Sequence, residues 1–174
     1  MSWTAEQGLE IAERAAGLVE ADQAEAVVIA GASALTRFAN NRIHQNVSER
    51  DAAVSIRAVV DGKQGVAATN GTSAEALAAC AKAAADAAGS APADPAFPGL
   101  PAGPFEYALG SRAADGARQL DAQERAHAVG AILSTVLAAK DYSLTAAGTL
   151  EVSDQVVAVA NTCGVAASAE VTEA

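Results

Sequence analysis

Residues 53–69, AVSIRAVVDGKQGVAAT, decide the fold class. From Ala53 to Val60 the residues alternate. Val54, Ile56, Ala58 and Val60 fall on one side, and Ser55 and Arg57 on the other, as in a strand with one buried face. Asp61-Gly62 tolerates the positive φ angles of a two-residue turn, and Gln64–Thr69 returns from it. The stretch therefore predicts an antiparallel hairpin. Upstream, Ala26–Ala30 is a short apolar run, and Ala34–Phe38 and Arg42–Val47 flank Asn40-Asn41, which suits a second tight turn.

Helices surround these strands. Thr4-Ala5-Glu6-Gln7 has the Thr-x-x-Gln form of a capping box, followed by Leu9, Ala12, Ala16 and Val19 at helical spacing. Thr72-Ser73-Ala74-Glu75 reads as a second box, opening an alanine-rich helix to about Ala88 that Gly89 can terminate. Asp121-Ala122-Gln123-Glu124 opens a third, with Ala128, Ile132 and Val136, joined by Leu133 and Leu137, expected to face a core. Tyr142–Val152 and Gln155–Ala160 read as further strands, and Val165–Glu170 begins another. All five prolines lie in 90–104, which has no helix or strand period and reads as a surface connector. The chain thus divides into 1–89 (helix, strands, helix), the connector 90–104, and 105–174 (helix and further strands of the same domain). This order predicts an α+β fold, a two-layer sandwich with a largely antiparallel sheet and helices packed mainly on one face.

At 174 residues the chain suits one domain, or one domain and part of a second. It is 51% hydrophobic but only 3% aromatic, so the core must be built from Val, Leu, Ile and Ala. A net charge of −10 opposes generic binding to phosphate backbones and anionic membranes, so no nucleic-acid partner is expected. No apolar stretch approaches the roughly 20 residues of a membrane span. The N-terminal MSWTAEQGLE lacks a basic region followed by an apolar run, so a cytoplasmic location is expected. Cys80, within a helix pattern, reads as a small buried hydrophobe, and Cys163 lies in a turn-like segment.

Catalytic residues are not evident. His44 and His127 are the two histidines. No His-x-x-x-His or His-Glu-x-x-x-His segment occurs, and His127 has Gly130 and Ala131 at i+3 and i+4. A Gly-x-Ser-x-Gly elbow and a phosphate loop are also missing. The segment 31–70 is nonetheless locally basic, with Arg37, Arg42, Arg50, Arg57 and Lys63 against Glu49, Asp51 and Asp61. On a regular strand over Arg42–Val47, Arg42, His44 and Asn46 would share one face while Ile43 and Val47 point to the core. Arg37, Arg42, His44 and Asn46 are therefore the candidate substrate-binding residues, since Arg and Asn donate several hydrogen bonds to carbonyls or a carboxylate. A solvated sheet face is the competing reading of the same residues.

The run from Leu35 to Asn46, LTRFANNRIHQN, resembles the N-terminal domain of the TldD/PmbA family. Three further features follow in the family's order. The paired strands ending Gly65-Val66-Ala67-Ala68-Thr69 are similar to its Gly-x-Ala-x-Thr ending. Ala93-Asp94-Pro95 resembles its Ser-Pro-Asp-Pro linker, and Asn161-Thr162-Cys163-Gly164 its Asn-Ser-x-Gly turn. The resemblance implies a cytoplasmic metallopeptidase, also labelled modulator of DNA gyrase. In it an N-terminal α/β layer precedes a β-rich C-terminal domain that holds zinc. It also implies subunits paired as a homodimer or with a paralogous partner, around a chamber for unfolded peptides. No position here matches a zinc ligand or a catalytic residue of that family. The chain is expected to stop short of the metal domain and to hold no cofactor itself. A stand-alone peptide-binding or assembly module without enzymatic role is the alternative expectation.

Overall fold

The computed structural model describes residues 3–107, 113–139 and 142–174. The chain begins with helix α1 (Ala5–Gly17), followed by strands β1 (Gln23–Ala39), β2 (Arg42–Val60) and β3 (Lys63–Thr69). Helix α2 (Ala74–Ser90), the connector, the short helix α3 (Asp115–Gln119) and helix α4 (Ala122–Ala138) come next. Strands β4 (Gly148–Asn161) and β5 (Ala166–Glu173) complete the order. The strands form one sheet in the order β3-β2-β1-β4-β5, and every pairing is antiparallel. The α+β class and the two-layer arrangement follow as expected.

The strands are longer than their apolar runs. Ala26–Ala30 and Ala34–Phe38 are halves of one strand, because the ladder passes through Gly31-Ala32-Ser33 without a break in register. Backbone hydrogen bonds do not require apolar side chains, so the polar interruptions Gly31–Ser33 and Ser153–Gln155 extend the strands instead of ending them. The segment expected as a strand from Tyr142 becomes one only at Gly148. Both expected turns form: Asn40, Asn41, Asp61 and Gly62 all have positive φ, between 50° and 73°.

Parity along β1 sets the layers, since paired residues share a face. Ala24, Ala26, Val28 and Ala30 are buried, as are Val54, Ile56 and Ala58 of β2. Against them pack Ile11, Ala12, Ala15 and Ala16 of α1, and Leu77, Cys80, Ala81, Ala84 and Ala88 of α2. Further along the same face, Phe38 meets Val129 and Leu133 of α4 in a separate small cluster. The alanine-rich composition lets backbones approach closely. A Cβ built at Gly65 of β3 would lie 2.1 Å from the Ala88 nitrogen and 2.3 Å from the Ala84 carbonyl oxygen of α2.

Two helix expectations need correction. The second helix is capped by Ser73, whose hydroxyl accepts from Ala76 N–H, and not by Thr72; it runs past Gly89 to Ser90. Glycine tolerates helical angles, and Ser90 Oγ donates to the Asp86 carbonyl and ties off the last turn. The boxes at Thr4 and Asp121 form reciprocally. In α4 Leu133 is buried as expected, but Arg125 and Val129 complete the buried stripe, leaving Ile132 and Leu137 half exposed.

The connector runs across the end of the sheet. Ala93 bridges to Lys63, Leu100 N–H donates to Gln23 Oε1, Asn161 Nδ2 donates to the Pro101 carbonyl, and Gly103 N–H donates to the Cys163 carbonyl.

Burial pushes the Cys80 thiol above its ordinary range. A raised thiol pKa stabilises the fold below the ordinary thiol range, and this contribution is lost as pH rises through the folded value. A thiol-reactive chromogen on native protein should therefore modify half-buried Cys163 quickly and Cys80 only on unfolding. Gly65→Ala should cost about 3 kcal/mol in urea denaturation by overpacking β3 against α2. Gly17→Ala, where a Cβ meets nothing within 4 Å, should instead gain about 0.5 kcal/mol.

Candidate functional site

The paired strands β1 and β2 outrun their neighbours. β3 pairs with β2 only from Val54 to Val60, so Arg42–Ala53 forms an edge with no strand beyond it among the described residues. Charged side chains at Arg42, Glu49, Arg50 and Asp51 blunt this edge against casual pairing. The register passes from Arg37↔Gln45 to Phe38↔Ile43, which leaves His44 as the extra residue of a β-bulge.

The bulge overturns the predicted face assignment. Arg42 pairs with Ala39 and so shares a face with Arg37 and Gln45, away from the helices. Asn46 pairs with Thr36 and faces α4. Ile43 also lies on the α4 side, whereas Val47, paired with Leu35, lies on the opposite side. One inserted residue inverts side-chain parity, which a regular alternation read from sequence does not anticipate. Arg37, Arg42 and His44 are exposed at the hairpin tip, where Arg37 Nη1 donates to Gln45 Oε1 at 3.2 Å.

Asn46 instead belongs to a polar cluster that sequence reading missed. Arg125 of α4 is only 3% exposed. Its Nε donates to Thr36 Oγ1 at 3.3 Å, Nη2 to Asn46 Oδ1 at 2.9 Å, and Nη1 to the Leu120 carbonyl at 2.7 Å. Asn46 Nδ2 in turn donates to the Ala122 carbonyl. The guanidinium clasps α4 to the hairpin while satisfying Thr36, which is fully buried. Beside it lies a hollow of about 310 Å³ bordered by Arg125, Asp121, Asp154, Ser48 and Ala34. The acids bring negative charge near the buried cation. The only signal in the sequence was Arg125 on the apolar stripe of an amphipathic helix.

The sheet face away from the helices is aliphatic at its centre. Ile29, Val157 and Val66 are 50%, 41% and 60% exposed there. Beyond Ile29 a shallow hollow of about 240 Å³ opens around Gly31, Ser33, Glu49, Asp51 and Gln155. Near the connector the Arg57–Glu25 ion pair, at 3.6 Å, borders the patch.

No group of three or more His, Cys, Asp or Glu that could hold a metal ion occurs among the described residues. Structural and catalytic zinc sites need three or four such ligands. No described helix is long and apolar enough to cross a membrane.

A one-layer set of helices on a fully antiparallel sheet, with a long hairpin arm, defines this α+β domain. The family model for PmbA/TldA metallopeptidase domain 1 matches residues 24–88. The fold is similar to that of TldE from Thermococcus kodakarensis, with TM-score 0.80 and 19% identity over 91% of this chain and 35% of the other. It is also similar to a proposed modulator of DNA gyrase from Bacteroides thetaiotaomicron, with TM-score 0.80 and 14% identity over 97% of this chain and 39% of the other. A third likeness is to a proposed DNA gyrase modulator from Thermotoga maritima, with TM-score 0.67 and 18% identity over 86% and 33%. No curated protein matches the sequence. The chain is thus similar to that first domain over residues 24–88, and it spans about a third of the length of those solved chains.

Arg125→Ala should destabilise the chain by about 3 kcal/mol in chemical denaturation, because it removes three hydrogen bonds, two of them to buried or half-buried acceptors. Arg37→Ala and Arg42→Ala, at the exposed tip, should each stay within about 0.5 kcal/mol of the parent.

Proposed function

We infer that this chain is the non-catalytic N-terminal domain of a TldD/PmbA-type metallopeptidase, which processes small unfolded peptides. In this reading the domain helps to wall a peptide chamber and to form a subunit contact. Zinc and the hydrolytic chemistry belong to a C-terminal domain. The match of residues 24–88 to the first domain of that family carries the reading. The fold likeness over nearly the whole chain supports it.

The chain's own residues fit a surface role. The hairpin tip offers Arg37, Arg42 and His44 as exposed donors to peptide carbonyls or a carboxylate terminus, and the adjoining edge of β2 leaves backbone groups unpaired by any described strand. Asn46 plays another part, holding α4 through Arg125. Within the family reading, the partner is a second copy or a paralogous subunit, and the setting is the cytoplasm.

Incubation of the chain with zinc and an unstructured peptide tests the non-catalytic assignment. No cleavage above the peptide-alone rate is expected, as zinc hydrolysis needs about three protein ligands and an open position. Cleavage that a chelator abolishes would refute it.

A further inference from the structure

We propose that the hollow beside Arg125 binds a free aliphatic α-amino acid, its carboxylate on the buried guanidinium and its ammonium between the acids of the rim. The site lies on the helix side of the sheet, apart from the hairpin-tip cations, and is independent of the peptidase reading.

Arg125 is buried but not neutralised. It is 3% exposed, yet it forms no ion pair among the described residues, where the pairs are Arg57–Glu25 and Lys82–Asp86. Buried charges ordinarily have a counter-charge. Its three hydrogen bonds, to Thr36, Asn46 and Leu120, all go to neutral oxygens. A guanidinium has five N–H donors, so one hydrogen on each Nη is left without an acceptor. Donors taken out of water in this way are costly unless something meets them. The side chain borders a hollow of about 310 Å³. A carboxylate there would supply both the missing acceptor and the missing charge.

The acids on the same hollow decide what that carboxylate is attached to. Asp121 and Asp154 both border it. Asp121 Oδ1 takes the two N-cap bonds, from Gln123 and Glu124 N–H, which leaves Oδ2 to accept another. A simple carboxylate or phosphate would meet these acids with repulsion, and a simple amine would leave the guanidinium unanswered. A zwitterion answers both. Asp121 and Arg125 are four residues apart, so their Cβ atoms lie roughly 6 Å apart on one side of α4. An ammonium and a carboxylate on one carbon match so short a spacing better than the separated ends of a peptide.

The rest of the hollow is aliphatic. Ser48, Ala34 and Val152 form one row of its floor, and Leu120 stands at its side. The alanine leaves room for a side chain of valine or leucine size, and the volume is at the small end of ligand pockets. Ser48 lies on the stretch of β2 that no described strand pairs, so the hollow is reached from that edge. Its hydroxyl makes no hydrogen bond among the described residues and is a further donor to the carboxylate.

A ligand of so few atoms binds weakly, and a dissociation constant on the order of 1 mM is expected for L-leucine. Amide NMR spectra of the isotope-labelled chain, titrated with L-leucine to about 20 mM, test the proposal. Saturable shifts are expected at Ser48, Ala34, Val152 and Ala122–Arg125. N-acetyl-L-leucine, which lacks the ammonium, and L-leucinamide, which lacks the carboxylate, should each bind at least about tenfold more weakly. Asp121→Asn keeps a good N-cap and should weaken leucine about tenfold. Ala34→Leu, which fills the floor, should abolish binding. Circular dichroism melts report the folding of both variants, and either one that folds decides the point. No shift at these amides by the end of the titration overturns the proposal. So do blocked analogues that bind as well as leucine, or folded variants that bind it unchanged. Tighter binding of the dipeptide Ala-Ala than of leucine overturns the assignment to a single amino acid.

Discussion

Strand β1 is hydrogen-bonded along both edges for nearly its full length, to β2 from Gln23 to Ala39 and to β4 from Glu25 to Phe38. Every other element takes its position from this strand. Its even-numbered residues carry both helix-side clusters, and its odd-numbered residues form the middle of the open face. With only 3% aromatic residues, the core cannot be filled by large rings. It is filled instead by close approach, with alanines of α1 and α2 lying against alanines and valines of β1 and β2, and Gly65 against the α2 backbone. Dispersion contacts at such distances are numerous though individually weak, so small side chains can pack as densely as large ones when the backbones come near.

The fold was legible wherever local chemistry decides structure. Capping residues announced α1 and α4, and Asn40-Asn41 and Asp61-Gly62 announced the two hairpin turns, because each motif satisfies backbone groups or angles within a few residues. Strand length was not legible. Gly31–Ser33 and Ser153–Gln155 look like breaks, yet they continue because a partner strand runs past them. The face assignment over Arg42–Val47 failed for a related reason, since the bulge at His44 is a property of the pairing with β1 and leaves no mark in β2 alone. The stripe of α4 was misread because Ile132 and Leu137 are more apolar than Arg125. A guanidinium with three acceptors waiting for it was nevertheless the residue that was buried.

The candidate residues therefore divide by role. Asn46 works inward, as an acceptor for Arg125 and a donor to the start of α4. Arg37 and Arg42 work outward, on the same side as the aliphatic rows but nearer the hairpin tip. Apart from the bond of Arg37 to Gln45 across the hairpin, this places their positive charge at the surface of an otherwise acidic chain.

Both faces of the sheet change character at the same level. On the helix side the main core ends near Ala30 and Ala52, and a hollow bordered by Ala34 and Ser48 follows before the Phe38 cluster begins. On the open side the aliphatic rows end at Ile29, and the hollow at Gly31 and Ser33 follows. Between Gly31 and Ala34 the sheet is thus thinly packed on both sides and held mainly by its ladder. A sheet built in this way has two separately packed ends joined by backbone hydrogen bonds. The helix-covered end carries the stability. The distal hairpin is held separately, by the Arg125 bonds, by Asn41 bonding to Leu144 and Ala146, and by the Phe38 cluster.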